Sequence, residues 1–228
     1  KEETFGEMQE TPPMLPIDES SEKVWFTDEK RFTVEAPRNS QNDRVHAAAQ
    51  KKRDFEPSRL LRGKRQFSES VMVSLGASFD GKTSILFIER GVKINGPSYC
   101  QDVLTPMLSE IRQKMPDFVF QQDGAPAHTA RQTVALLKDN CPAFIEPDSW
   151  PPCSPDLNPI DYFIWSAMEE KVYRAEKIRD VAHLKSKIIQ AWEELPQSSI
   201  AKSILKWRGR MQAVVKNGGG HVEPFIKN

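Results

Sequence analysis

Apolar residues alternate with polar ones, or form short runs, over the first half of the chain, and recur at helical spacing over the second. Val24-Trp25-Phe26-Thr27-Asp28 predicts a short strand, resumed after a turn by Arg31-Phe32-Thr33-Val34. Val71 to Phe79 predicts a buried strand, Asp80-Gly81-Lys82 a hairpin turn, and Thr83 to Ile88 the returning strand. Leu104, Met107, Leu108, Ile111 and Met115 then repeat as one face of a helix that Pro116 closes. Phe118 to Asp123 predicts a strand ending at Gly124, His128 to about Asn140 a helix, and Ala143 to Glu146 a last short strand. The remainder is helical. One helix covers 158–174, a second uses Ile178, Leu184, Ile188 and Trp192, and a third runs through Ile200, Ile204, Trp207, Met211 and Val214.

Strands joined by hairpins, followed by strands joined through helices, give an α/β mixed central sheet flanked by helices. This is the element order of an RNase H-like fold, although other α/β folds share it. Two stretches stand outside the pattern. Residues 1–22 hold Pro12, Pro13 and Pro16 among acids and predict an extended or disordered lead-in, so the folded domain is expected over 23–228. Residues 35–67 form a long insertion after the first strand region, with little periodicity; such loops are usually functional or disordered. The chain starts at Lys1 without an initiator Met and is expected to be part of something longer.

Net charge is zero, which argues against nucleic-acid binding until its distribution is considered. Residues 1–22 carry seven acids against one base, whereas 35–67 carry nine bases against four acids and 162–228 twelve against seven. Lys51, Lys52, Arg53, Arg62, Lys64 and Arg65 are therefore candidate phosphate contacts, with solvated surface as the plainer reading. No apolar run approaches the roughly 18 residues of a membrane helix, so no membrane partner is expected. Three cysteines without a Cys-x-x-Cys pair argue against a disulfide framework or a structural zinc site and favour a reducing compartment.

Asp28 and Asp123 each stand at the end of a predicted strand, and Asp161 lies in the first turn of the helix opened by Asn158-Pro159. Each has a plain structural reading, as a turn residue or as an acid at a helix N-terminus. Together they carry more meaning. Carboxylates about 4 Å apart at an effective dielectric near 20 repel by roughly 4 kcal/mol, and divalent cations relieve that repulsion. All-oxygen donors select Mg²⁺ or Mn²⁺, and two such ions can support in-line displacement at phosphorus. His128 could approach the metals or a phosphate, or bond a neighbouring backbone group. Glu29 is directed to the opposite face by strand alternation and is set aside.

Trp25-Phe26-Thr27-Asp28-Glu29-Lys30, Gln121-Gln122-Asp123-Gly124-Ala125-Pro126-Ala127-His128 and the block from Trp150 through Ser154-Pro155-Asp156-Leu157-Asn158-Pro159-Ile160 to Asp161 resemble three signature blocks of mariner-superfamily transposases. Gly218-Gly219-Gly220-His221-Val222-Glu223 resembles a tail of the same group. The resemblance implies an RNase H-like catalytic domain in which Asp28, Asp123 and Asp161 hold two Mg²⁺ or Mn²⁺ ions. The thirty-seven residues between Asp123 and Asp161 resemble the spacing of the mariner-like maT subgroup.

By the same resemblance the 35–67 stretch is a clamp loop reaching a partner subunit, and the full-length protein is a homodimer on DNA. Its substrates are transposon ends and a TA target, and its compartment is the nucleus. The family's N-terminal helix-turn-helix region has no counterpart here, so this chain alone is expected to bind DNA weakly and through phosphates. Two other readings remain at this point: a host-recruited or inactive derivative that serves as a DNA-binding or assembly module, and hydrolysis of RNA–DNA hybrids at the same metal site.

Overall fold

The computed structural model describes residues 21–36, 68–88, 95–174 and 176–218. Five strands form one sheet in the order β3-β2-β1-β4-β5, with β1 at Val24–Thr33, β2 at Ser70–Ala77, β3 at Leu86–Ile88, β4 at Val119–Gln121 and β5 at Ala143–Phe144. β1, β2 and β3 pair antiparallel, while β4 and β5 join parallel to β1. This is the mixed sheet expected from the element order.

Alternation along β1 sends successive side chains to opposite faces. Val24 and Phe26 enter one core with Leu75, Ile164, Met168, Ile188 and Trp207. Trp25 enters the other with Tyr99, Leu104, Met107, Phe118 and Leu137. The first face is covered by helices α4 (Trp165–Arg174), α5 (Val181–Glu193), α6 (Gln197–Leu205) and α7 (Trp207–Lys216). The second is covered by α1 (Gly96–Tyr99), α2 (Thr105–Lys114) and α3 (Arg131–Asn140).

Four details depart from the sequence expectation. β1 is one uninterrupted strand, because β2 pairs with it from Phe26–Ala77 through Thr33–Ser70 and leaves no turn after Asp28. Only Leu86–Ile88 of the returning strand joins the sheet, preceded by an isolated bridge between Ala77 and Lys82. The helix expected from His128 begins at Arg131, since Ala125 receives the backbone N–H groups of both His128 and Thr129 in a turn. The last expected helix is two, α6 and α7, separated at Lys206.

Wider π-type turns interrupt two helices. Cys100–Leu104 links α1 to α2, and Ile160–Ile164 precedes α4. Such turns inside α-helices are frequent at functional sites. The second one contains Asp161.

Candidate active site

The parallel β1–β4 register ends at Phe26–Gln121, and Asp28 and Asp123 each lie two residues further on. They are therefore level on neighbouring chains, which run about 4.8 Å apart where they pair. Asp28 is not at a strand end, as the sequence suggested, because β1 continues to Thr33 while β4 stops at Gln121. The site still lies beyond the carboxyl end of β4, where a crevice opens in sheets of this kind.

Buried hydrogen bonds lace three elements together around these acids. Thr27 Oγ1 donates to the Gln121 carbonyl at 2.8 Å, tying β1 to β4. Asn158 Nδ2 donates to the Thr27 carbonyl at 3.1 Å, while its Oδ1 accepts the Ile160 N–H at 3.0 Å. Asn158 thus starts the helical segment, as its sequence position implied, and anchors it next to Asp28. Asp161 follows on that segment.

Asp28 shares the Phe26 face of β1 and receives the indole N–H of Trp165 at 2.5 Å. Burial, together with the charge of Asp161, pushes the Asp28 carboxyl up to about 8. Burial also raises Asp161, against the opposing pull of a hydrogen bond with Asp28 and of the Lys30 ammonium. Lys30 is ion-paired with Glu169 at 3.0 Å. Two of the three expected acids thus form an electrostatically strained pair.

Asp123 faces a different partner. Its Oδ1 accepts the Ala125 N–H at 2.9 Å and meets His128 Nδ1 at 2.5 Å. The His128 hydrogen bond holds the Asp123 carboxyl below its ordinary value despite burial. Burial disfavours a charged His128, but hydrogen bonds to Asp123 and Glu29 outweigh it and lift the ring to about 10. Glu29 Oε2 lies 3.3 Å from His128 Nε2, and Ser74 Oγ donates to Glu29 Oε1 at 2.8 Å.

Strand alternation does direct Glu29 away from Asp28, as expected, yet His128 brings it back to the site from behind. Glu29 therefore borders the site through His128; strand alternation gives its face, but nothing in the sequence gives its partner. Trp165 was missed as well. Its signal was an indole donor four residues after Asp161, close to one helical turn away.

The donor set suits a hard divalent cation: oxygen ligands alone, with one carboxyl raised by burial and by a neighbouring acid. Among the described residues, no three His, Cys, Asp or Glu side chains already stand as a ligand cluster. Asp28 and Asp161 are together, whereas Asp123 is turned toward His128. Lys51, Lys52, Arg53, Arg62, Lys64 and Arg65, the proposed clamp loop, nearly all of the acidic lead-in and the glycine-rich tail after Gly218 lie outside the described residues.

No family model matches the chain. Among curated proteins it is 28% identical over 204 residues to the Tc3 transposase of Caenorhabditis elegans, covering 88% of this chain and 57% of that protein. The chain is similar in sequence to Tc1- and Tc3-type transposases. It superposes on Mos1 transposase in a paired-end complex with the left transposon end, with a TM-score of 0.72 and 20% identity, over 89% of this chain and 57% of that one. The Mos1 catalytic domain, determined with raltegravir and Mn, gives a TM-score of 0.63 and 17% identity over 89% and 86% of the two chains. The fold is RNase H-like, and it matches the catalytic part of Mos1. The chain spans little more than half the length of the Tc3 relative.

Proposed function

We propose that this chain is the catalytic domain of a cut-and-paste DNA transposase, with Asp28, Asp123 and Asp161 as its metal-binding acids. The observation that carries the proposal is the Asp28–Asp161 carboxyl pair, in which burial raises both groups and the Asp161 charge raises Asp28 further, with Asp123 level on the neighbouring chain. Two Mg²⁺ or Mn²⁺ ions, when bound, would supply Lewis acidity at the attacking and leaving oxygens of a phosphodiester. The chain's own residues provide the frame. Trp165 fixes one oxygen of Asp28, Asn158 sets the helix that carries Asp161, and His128 fixes one oxygen of Asp123.

Relatives named as transposases and neighbours titled as Mos1 with Mn support this reading of the acids as metal ligands. A groove of about 410 Å³ lined by Tyr162, which follows Asp161 in sequence, and by Lys202 and Lys206 offers exposed lysines for a DNA backbone. The substrates would be transposon-end DNA and a TA target, handled in the nucleus by a dimer of the full-length protein. Among the described residues no helix is long and apolar enough to cross a membrane.

The test is strand nicking. With the end-recognition region supplied, the protein should nick transposon-end duplex in Mn²⁺, and Asp123→Ala should abolish the nick. Failure of the wild-type protein to nick under those conditions overturns the proposal. DNA binding without a nicked product, unaffected by Asp123→Ala, would instead favour a recruited binding module.

A further inference from the structure

Glu29 and His128 form a layer behind Asp123 that the acids alone do not explain. Ser74 holds Oε1 of Glu29, and Oε2 faces Nε2 of His128 at 3.3 Å. The other ring nitrogen meets Oδ1 of Asp123 at 2.5 Å. Tyr99 lies against the imidazole with ring centroids 4.4 Å apart, and its hydroxyl donates to Gln122 Oε1 at 3.0 Å. Gln122 Nε2 in turn donates to the His128 carbonyl at 3.1 Å. Gly96 allows this packing, since a Cβ there would lie 2.9 Å from the Ala130 methyl as α1 presses toward α3.

The histidine is therefore fixed at both nitrogens, on one ring face and at its backbone. Its side chain is 7% exposed, whereas that of Asp123 is 50% exposed, and the next residue, Gly124, has open space where a Cβ would stand. A half-exposed carboxylate beside such a residue would otherwise sample several rotamers. Buried ion pairs of this kind contribute little net stability compared with apolar packing, so stability alone does not account for the arrangement. Ligating carboxylates, in contrast, are commonly oriented by partners behind them.

We infer that Glu29 is a positioning residue, which acts through His128 to hold Oδ1 of Asp123 and leave Oδ2 for a divalent cation. This rests on the proposed function, because it presupposes that Asp123 is a ligand. Ser74 and Tyr99 serve the same chain of contacts from β2 and α1. The class of ligand is a hard divalent cation, and the effect is on its affinity and placement.

The experiment is Mn²⁺ binding to the whole chain, by calorimetry and by the electron paramagnetic resonance of free Mn²⁺, with circular dichroism and thermal unfolding recorded in parallel. Glu29→Ala should fold and bind Mn²⁺ about 10-fold more weakly, and Glu29→Gln, which still offers an oxygen to His128, should recover most of the affinity. Where Glu29→Ala does not fold, Glu29→Asp keeps the charge but shortens the reach, and the same loss is expected. Wild-type affinity in a folded Glu29→Ala or Glu29→Asp, with binding abolished by Asp28→Asn, overturns the positioning role and leaves the proposed function standing. Undiminished Mn²⁺ binding in Asp28→Asn overturns both.

Discussion

The indole Nε1 of Trp165 donates a 2.5 Å hydrogen bond to Oδ2 of Asp28, across 137 residues of sequence. Trp165 is 2% exposed and meets Phe32 edge-on, with ring centroids 5.9 Å apart, so its ring is fixed before the hydrogen bond is considered. This donor opposes burial and the Asp161 charge, both of which raise the Asp28 carboxyl.

Trp165→Phe should therefore keep much of the core and remove the donor. The carboxyl of Asp28 should rise further, so that metal binding near neutral pH must displace a more tightly held proton. Affinity for Mn²⁺ at pH 7 is expected to fall about 10-fold and to recover as pH is raised. Titration calorimetry at pH 7 and 9 checks this, and a loss that is the same at both pH values would refute the electrostatic account.

A pH dependence of stability follows from the same groups. Asp28 moves from its ordinary 3.8 to about 8 on folding, so the folded state holds the extra proton between those values and stability falls as pH rises through that window. His128 moves from 6.5 to about 10, and its contribution is complete below 6.5 and lost as pH rises through 10. The two windows overlap between 6.5 and 8, where metal-free protein should lose stability at up to about 1.4 kcal/mol per pH unit for each group. Urea unfolding at pH 6.5 and 8 measures the slope. Asp28→Asn should reduce it in that interval to the part due to His128 while leaving the loss above pH 8.

Much of this site was legible in the chain. Asp28 and Asp123 could each be placed at a predicted strand because an apolar run precedes both, and Asn158-Pro159 marked the helix that carries Asp161, whereas the pairing of the two strands came only from the structure. The continuity of β1 was hidden by its charged stretch Asp28-Glu29-Lys30-Arg31, which reads as a turn until β2 is found paired along it. The break at Lys206 was hidden for the opposite reason. Ile200, Ile204, Trp207 and Met211 keep helical spacing across it, so periodicity could not register the interruption. The His128–Glu29 contact joins a loop to the far face of a strand, and no local pattern encodes such a meeting.

Divalent metal should stabilise the fold through the same acids. A ligand at 100 times its Kd adds about 2.7 kcal/mol to a protein that binds it only when folded. Mn²⁺ should raise the unfolding midpoint of the wild-type chain and leave that of Asp161→Asn unmoved. Without metal, Asp161→Asn should be the more stable of the two at pH 8, since it removes a charge that raises Asp28. Scanning calorimetry with Mn²⁺ and with a chelator distinguishes these outcomes. A wild-type midpoint insensitive to Mn²⁺ would contradict them.

Asn158 is the residue on which the placement of Asp161 depends most directly. Its side chain is 3% exposed and uses both ends, donating to the Thr27 carbonyl on β1 and accepting from Ile160 at the head of the helical segment. Asn158→Ala removes a helix cap, which costs about 1 kcal/mol, and leaves the Thr27 carbonyl without this partner, at about 1–3 kcal/mol. A total loss of roughly 2–4 kcal/mol is expected in urea unfolding. Asn158→Asp offers a sharper comparison. It retains the acceptor for Ile160 but has no N–H for Thr27, and it adds a carboxylate next to Asp28 and Asp161, so it should lose stability at pH 8 and regain part of it at pH 5. If Asn158→Ala unfolds at the same urea concentration as wild type, the helix bearing Asp161 is held to β1 by something other than this side chain.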